Sequence, residues 1–492
     1  MIESPSPTLD VAALIAQLGA RPTRITSDSR VVAPGVAFAA YPGTMRDGRD
    51  FISDAVSRGA SAVLWEARGF HWNSALSTPN RPVERLREKL GPIADFIYGS
   101  PSQSLWVVGV TGTNGKTSCT QWIAQAFDAL GRRAAVIGTL GLGLVGKLAP
   151  LANTTPDAAL LQESLAKLLD DGARVVTIEV SSIGIEQGRV NGTKFDVALF
   201  TNLSRDHLDF HSTMAAYGAA KAKLFAWPTL AAAVVNVDDA FGRDLAVSLR
   251  PRVRTLTYGL DNADITARAI APTAEGMRLE LVTPFGNADL ATTLVGTFNA
   301  LNVLGTLGVL LASGVSLDDA TRVLASLKPP PGRMERHGGG EKPLVVVDYA
   351  HTPDALEHVL SALRPVVTQG GSLVCVFGCG GDRDAGKRPQ MGRVAAMLAD
   401  RIVITSDNPR SEDPTSIAMA IAQGVRATGN RRWTLEIDRA AAVQDAIANA
   451  RRGDIVLIAG KGHEDYQEIN GERHPFADAE HAALALEKWG PQ

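Results

Sequence analysis

Apolar residues in this chain gather in short unbroken runs between polar turns, and these runs alternate with stretches where apolar positions recur at helical spacing. Val175-Val176-Thr177-Ile178-Glu179 and Val197–Phe200 have the length and composition of strands buried on both faces. An apolar strand from Val107, another at Arg133–Ile137 and a helix at Ala158–Leu169 precede them. That alternation predicts a parallel sheet with helical crossovers. Farther on, Tyr217–Phe225 reads as a helix, residues 251–294 as strand-rich, and Gly296–Leu311 as a helix with Asn299 and Asn302 embedded in its apolar pattern. The period then restarts. A strand at Leu344–Asp348, a helix from Pro353, and strands at Ser372–Phe377, Arg401–Thr405 and Asp454–Ala459 predict a second α/β sheet. Ahead of all this, residues 1–76 mix short runs with turns, and Asp50–Trp65 reads as a helix followed by a strand.

Punctuation divides the pattern. Residues 77–104 are rich in Pro, Ser and charge around one helical piece and read as a linker, while Pro329–Gly332 and Gly338–Gly340 mark a second boundary. The expectation is an α/β protein of three domains: a small domain with its linker over 1–104, a central parallel-sheet domain over 105–334, and a second sheet domain over 335–492. A length of 492 residues agrees with several cores rather than one.

Bulk composition narrows the partners. With 45% hydrophobic and 21% charged residues the chain is ordinary for a globular protein, and a formal net charge of −3 argues against a general nucleic-acid or membrane-surface binder. Cys119, Cys375 and Cys379 are odd in number and lack metal-ligand spacing, which fits a reduced, cytoplasmic setting. The N-terminus has no basic and apolar signal pattern, and the Gly-rich run Ala134–Gly146 is too short to span a membrane.

The chemistry is concentrated first in Val107–Ser118, VVGVTGTNGKTS. Gly112 and Gly115 let the backbone of Thr113 and Asn114 turn its N–H groups inward; Lys116 adds a positive charge, Thr117 a hydroxyl for Mg²⁺, and the helix start a partial positive charge. The eight-residue form of such a loop has Gly where this chain has Val110, so the cradle is a variant. Glu179 ends a buried strand on the edge where open α/β sheets bind ligands, which points to a magnesium role beside Lys116. In Asn202–His211, the residues Asp206, His207, Asp209 and His211 offer a possible transition-metal set. Lys221 and Lys223 read as a solvated helix face. Asn299 and Asn302, if buried, need partners. The glycine cluster Gly378–Gly381 lacks G-x-G-x-x-G spacing, and Gly462-His463-Glu464 lacks the second His of H-E-x-x-H, so neither a nicotinamide site nor a zinc-protease site follows. On composition alone, Ser27–Arg30 and Gly43–Arg49 are solvated loops.

Taken together and in order, SDSR, GVTGTNGKTS, NTTP, EVSS with EQGRV, TNLSRDHLDFH, YGAAKAKLF, GTFNALN, PPGRMER, DYAHTPD, GCGGDRDAGKRP, SDNPRSEDP and AGKGHEDYQ resemble the Mur ligase family, MurE type, over nearly the whole chain. The resemblance implies a UDP-binding domain, a central P-loop domain and a C-terminal Rossmann-like domain. It implies an ATP-dependent ligase adding meso-diaminopimelate to the γ-carboxylate of D-Glu in UDP-MurNAc-L-Ala-D-Glu through an acyl phosphate. The partners would then be small molecules, with no nucleic acid or membrane, and the enzyme a cytoplasmic monomer.

The same resemblance assigns residues. Gly112 to Ser118 would hold ATP, with Asn299, Arg333, Asp348 and His351 contacting adenine, ribose or phosphate. Thr117 and Glu179 look like magnesium ligands, and Lys221 like the lysine carbamylated by CO₂ to serve a second Mg²⁺. His207 would lie near that site, in place of a metal cluster. Matching positions for the UDP-sugar peptide are Ser27, Ser29, Thr44, Met45, Arg46, Asn153, Thr154, Thr155, Ser181, Gln187 and Arg189. Ile183 stands where many relatives carry His, and the 44–46 loop is atypical. For diaminopimelate the positions are Arg383, Asp407, Asn408, Pro409, Arg410, Gly460 and Glu464. Arg410 would grip a distal carboxylate that lysine lacks, and Glu464 the distal ammonium. The alternatives are a sibling ligase taking lysine, or folate and glutamate, and, from another class, a P-loop nucleotide switch.

Overall fold

The computed structural model describes residues 9–44, 46–273 and 276–490, the side chain of Asp209 excepted. It divides into two compact units: residues up to Ile265 with Gly305–Val323, and Thr266–Leu304 with the residues from Leu324 on.

The first unit holds two sheets. A four-stranded parallel sheet runs in chain order through Arg24–Thr26, Val36–Ala40, Ala62–Glu66 and Asn80–Val83. Its last strand corrects the linker expectation for residues 77–104, while the helix Leu86–Ile97 that follows is the helical piece expected there. Proline suits an edge strand, which needs fewer backbone donors, and Leu86, Leu90, Ile93 and Ala94 recur on one face that packs into the core with Leu64 and Ala39.

The second sheet of this unit has six parallel strands in the order Arg254–Gly259, Ala232–Asn236, Val197–Phe200, Trp106–Thr111, Val175–Glu179 and Ala134–Gly138. Gly141–Leu144 and Lys147–Ala149 extend it antiparallel. All five residues of Val175–Glu179 are buried, as the unbroken apolar run required. Helix Ala158–Asp170 begins at Asp157, whose carboxylate accepts from the N–H groups of Ala159 and Leu160. Trp106–Thr111 lies between strands that come later in the chain. Its C-terminal end is therefore a switch point, where the crossovers on either side leave a crevice.

In the second unit, Met277–Thr283 pairs antiparallel with Gly286–Thr292 and with the strand ending at Pro272. A six-stranded sheet follows in the order Glu335–Gly338, Leu344–Asp348, Ile455–Ala459, Leu373–Phe377, Arg401–Ile404 and Trp433–Leu435, parallel except for its first member. Its core lies on both faces, with Leu356, Leu360 and Ile421 on one and Val443, Ile447 and Ala482 on the other. A separate hairpin, Tyr466–Ile469 with Glu472–Pro475, follows the strand Ile455–Ala459. Among the described residues no helix is long and apolar enough to cross a membrane.

Candidate functional site

The phosphate loop leaves the Trp106–Thr111 strand and enters the helix Lys116–Ala129 through Gly115 in the left-handed region, φ 83°. Gly112 has φ 152°, and a Cβ there would collide with Thr201 Oγ1. Only glycine fits. The loop is braced from the neighbouring strand end, because Asn202 accepts from Thr113 N (2.8 Å, at its carbonyl) and from Asn114 N (2.9 Å, at its side chain). Lys116 Nζ folds over the loop and donates to the carbonyls of Gly112 (2.9 Å) and Thr113 (2.8 Å).

Lys221 donates to that same Gly112 carbonyl at 2.7 Å and is 1% exposed. The solvated-face expectation therefore holds for Lys223, which pairs with Glu186 at 2.7 Å, and fails for Lys221. Helical spacing separates them: two positions apart, they point to different sides. Burial, with the Lys116 ammonium beside it, pushes the Lys221 amine well below the ordinary lysine range. The Tyr217 ring lies 4.3 Å from Lys221 Nζ, and its phenol meets Thr113 Oγ1 at 3.2 Å.

Glu179, 1% exposed, sits at the end of its strand rather than on the surface. Its Oε2 accepts from Thr117 Oγ1 (3.0 Å) and Thr139 Oγ1 (3.1 Å), and its Oε1 from Thr139 N (2.8 Å). A carboxylate beside a hydroxyl is a hard-oxygen donor set suited to Mg²⁺. Past this strand end, Thr155 Oγ1 lies between the Glu179 carbonyl (2.7 Å) and Ser181 Oγ (3.0 Å), and Arg189 Nη1 donates to the Thr155 carbonyl (2.7 Å). Gln187 Oε1 accepts from Arg189 Nη2 at 2.7 Å, and Thr154 Oγ1 meets Thr139 Oγ1 at 3.1 Å. Thr154, Thr155, Ser181, Gln187 and Arg189 are thus one polar group continuous with Glu179, while Asn153 is exposed.

The metal set weighed for the DHLDFH stretch does not assemble. His211 Nε2 meets Ser182 Oγ at 2.9 Å in a buried position, and His207, in the left-handed region at φ 51°, lies 3.5 Å from Asp206. Among the described residues no group of three His, Cys, Asp or Glu side chains could hold a metal ion; the Asp209 side chain lies outside them. Just past the first strand of the N-terminal sheet, Ser27 is half-buried and Ser29 is buried. Thr44 and Arg46 are exposed on a tight turn closed by Gly43 N to the Arg46 carbonyl (2.8 Å), and Met45 lies outside the described residues.

In the second unit, Arg333 stacks on Tyr349 with its guanidinium 4.6 Å from the ring centroid. Asp348, next to Tyr349, accepts from Met334 N and Ala350 N (both 2.8 Å), and burial raises its carboxyl. His351 Nδ1 lies 2.9 Å from the Tyr349 carbonyl, and the His351 carbonyl accepts from Lys387 Nζ at 2.8 Å. Asn299 turns to its own helix, donating to the Val295 carbonyl at 2.9 Å and accepting from Asn302 at 3.4 Å.

The Asp407–Arg410 stretch follows the Arg401–Ile404 strand. Asn408 Nδ2 donates to Glu464 Oε2 at 2.7 Å. Lys461, fully buried, donates to Asn408 Oδ1 (2.9 Å) and Glu464 Oε2 (3.3 Å) and lies 3.5 Å from Asp407 Oδ1. Burial raises the Glu464 carboxyl, with Lys461 opposing. Gly460, φ 117°, closes the cluster: a Cβ there would come within 2.7 Å of Asp407 Oδ2. Arg410, φ 51°, is clipped to the hairpin by its N–H to the Glu468 carbonyl (3.0 Å) and by Asn470 N to its own carbonyl (2.7 Å). Its Nη1 donates to the Gly381 carbonyl at 2.8 Å, and Arg383 is exposed nearby in sequence.

Sequence reasoning passed over Thr139, Asn202, Tyr217 and Lys461. Thr139 directly follows a strand end and Lys461 lies two residues past one, which was a usable signal. Tyr217 had none, since its place is set by residues more than a hundred positions away.

Comparison with known proteins returns three family models: the Mur ligase family catalytic domain over residues 22–98, the Mur ligase middle domain over 110–310, and the Mur ligase glutamate ligase domain over 332–462. The UDP-N-acetylmuramoyl-L-alanyl-D-glutamate–2,6-diaminopimelate ligase of Chromobacterium violaceum is 53% identical over 97% of this chain and 97% of its own. The protein of that name from Pseudomonas syringae pv. tomato is 52% identical over 95% and 96%. A solved structure titled as this same ligase superposes with a TM-score of 0.70 at 38% identity, covering 95% of each chain.

Proposed function

Because this chain belongs to the Mur ligase family, we infer that it is the ATP-dependent ligase that joins meso-2,6-diaminopimelate to the γ-carboxylate of D-Glu in UDP-MurNAc-L-Ala-D-Glu, in peptidoglycan precursor synthesis. The observation that carries the choice of amino acid is the 407–410 loop. Together with the half-buried Glu464 it offers carboxylates, of which that of Asp407 is buried, to an ammonium, and it offers Arg410 to a carboxylate, the two groups at the far end of diaminopimelate. Lysine would leave that guanidinium without its partner, and sites built to pair a polar group reject the analogue lacking it by roughly 10⁴-fold.

The chemistry follows from what each substrate lacks. A carboxylate is a poor acylating agent, so its oxygen attacks the γ-phosphorus of ATP, ADP leaves, and an acyl phosphate results. The amine of diaminopimelate then attacks the acyl carbon, loses a proton, and phosphate departs as the amide forms. The phosphate loop from Gly112 to Ser118 and the Lys116 ammonium would hold the triphosphate and stabilise charge on the transferring phosphoryl group. Thr117 and Glu179 would hold Mg²⁺, which when bound supplies further neutralisation of phosphate charge. Asn153, Thr154, Thr155, Ser181, Gln187 and Arg189, with Ser27, Ser29, Thr44, Met45 and Arg46, are the proposed contacts of the UDP-sugar peptide. Arg333, Asp348, His351 and Asn299 are proposed for the nucleotide, His207 for the reacting centre, and Arg383, Gly460 and Glu464 join Arg410 for diaminopimelate.

Lys221 is read as carbamylated. Two ammonium groups on the Gly112 carbonyl repel one another, and the displaced amine is available to attack CO₂, forming an N–C bond and releasing a proton. The carboxylate so made turns a like-charge contact into an ion pair with Lys116 and offers oxygens to a second Mg²⁺. The domains are read as 1–104, 105–334 and 335–492, and the enzyme as a cytoplasmic monomer.

Phosphate release tests the assignment. It should require ATP, Mg²⁺, the UDP-dipeptide and diaminopimelate together, with lysine giving little. Release that ignores the amino acid, or equal rates with lysine, would overturn it.

A further inference from the structure

Lys461 has no solvent-exposed side-chain surface, yet it lies outside the residues that the sequence marks for any substrate. Its three nearest acceptors all belong to the cluster that faces the amino acid: Asn408 Oδ1, Glu464 Oε2 and Asp407 Oδ1, at 2.9, 3.3 and 3.5 Å. The bonding around Asn408 has only one sense. Its amide oxygen also accepts from Glu468 N at 2.9 Å, so its amide nitrogen is turned to Glu464 Oε2 at 2.7 Å. Lys461 thereby sets the Asn408 flip, and Asn408 sets the Glu464 rotamer.

Charge counting points the same way. Asp407 and Glu464 bring two carboxylates to a cluster that holds the Lys461 ammonium, and the buried Arg439 behind it is already committed to Asp478 at 2.7 and 2.8 Å. One negative charge remains. Asp407 Oδ1 is buried and makes no hydrogen bond among the described residues; the Lys461 ammonium stands 3.5 Å from it and is shared with Glu464, so the oxygen keeps room for a second donor.

We propose that Lys461 is a positioning residue for the amino-acid substrate: it orients Asn408 and Glu464 and leaves the cluster one positive charge short, which selects a substrate ammonium. It acts through those two side chains and contacts no reacting atom. The inference rests on the ligase reading above. A wild-type enzyme without diaminopimelate-dependent phosphate release would sink that reading, whereas normal wild-type turnover with an unaffected Lys461 variant sinks only this one.

The test is steady-state kinetics on the full chain with Lys461→Met, alongside Lys461→Gln, which keeps one donor to Asn408. We expect the diaminopimelate KM to rise roughly 30-fold or more in Lys461→Met and less in Lys461→Gln, with the KM values for ATP and the UDP-dipeptide within about twofold of wild type. An unchanged diaminopimelate KM, or an equal rise in all three, overturns the proposal. Should the single variant not fold, Lys461→Met/Glu464→Gln keeps the buried charge balanced. Its diaminopimelate KM should match that of Glu464→Gln within about threefold, because one residue acts through the other. Multiplying losses in the double variant would refute the positioning role.

Discussion

The phosphate-loop crevice and the 407–410 cluster are electrostatic opposites. In the first, two lysines converge on one backbone carbonyl at the start of a helix. In the second, one buried lysine is shared by two carboxylates and an amide. The first is proposed to receive a triphosphate and the second an ammonium. Burial makes that difference selective, because in a low-dielectric surrounding the wrong charge is rejected by more than a solvated surface could manage.

The most severe way to break this contrast is to remove the convergence of lysines. Lys221→Ala should lower turnover by roughly 10³-fold with diaminopimelate KM little changed. Wild-type enzyme depleted of CO₂ should lose activity and regain it on adding bicarbonate. Full activity in the variant would mean that Lys221 has no catalytic part. On the opposite side, Arg410→Ala should raise the diaminopimelate KM by roughly 10²-fold and erode discrimination against lysine, while the ATP KM stays within about twofold. A large ATP defect would count against separate roles for the two sites.

The floor of the second site offers a stability test. Arg439 and Asp478 are both fully buried, and the guanidinium also donates to the Ser406 and Ala459 carbonyls, immediately before Asp407 and Gly460. Arg439→Met leaves a buried carboxylate uncompensated and should cost about 3–5 kcal/mol in denaturant unfolding of this unit. Lys223→Ala, which removes an exposed pair with Glu186, should cost under about 1 kcal/mol. Comparable losses would show that burial does not separate these pairs.

The smallest effect concerns His463, whose imidazole burial and the nearby Arg333 push down to about 4. A histidine kept neutral by the fold contributes stability that is complete above its ordinary value near 6.5 and is lost as pH falls through about 4. Between pH 7.5 and pH 4.5 the wild type should therefore lose more melting temperature than His463→Gln, by on the order of 2–4 °C. Equal losses would mean that His463 does not stay neutral at the lower pH.

Much of the fold was legible because its signals are local. Five-residue apolar runs can only be buried strands, and the glycines of the phosphate loop announce a backbone that no other residue tolerates, as Gly112 against Thr201 bears out. The linker expectation at 77–104 failed for the complementary reason. Proline and charge mark a chain that is not a central strand, and an edge strand such as Asn80–Val83 shares that composition.

What the sequence determined by itself was the order of strands and helices, the presence of a phosphate cradle, and a collinear set of motifs. What only the tertiary structure decided was which polar residues are buried and against what. Lys221 and Lys223 are two positions apart and alike in type, yet one is 1% exposed on a carbonyl 109 residues away and the other pairs with Glu186 at the surface. Lys461 is similar: its partner Asn408 lies 53 residues earlier, and no window of sequence contains both. The charge state, orientation and selectivity of such groups depend on desolvation and on neighbours brought together by folding, and these exist only once the chain has closed on itself.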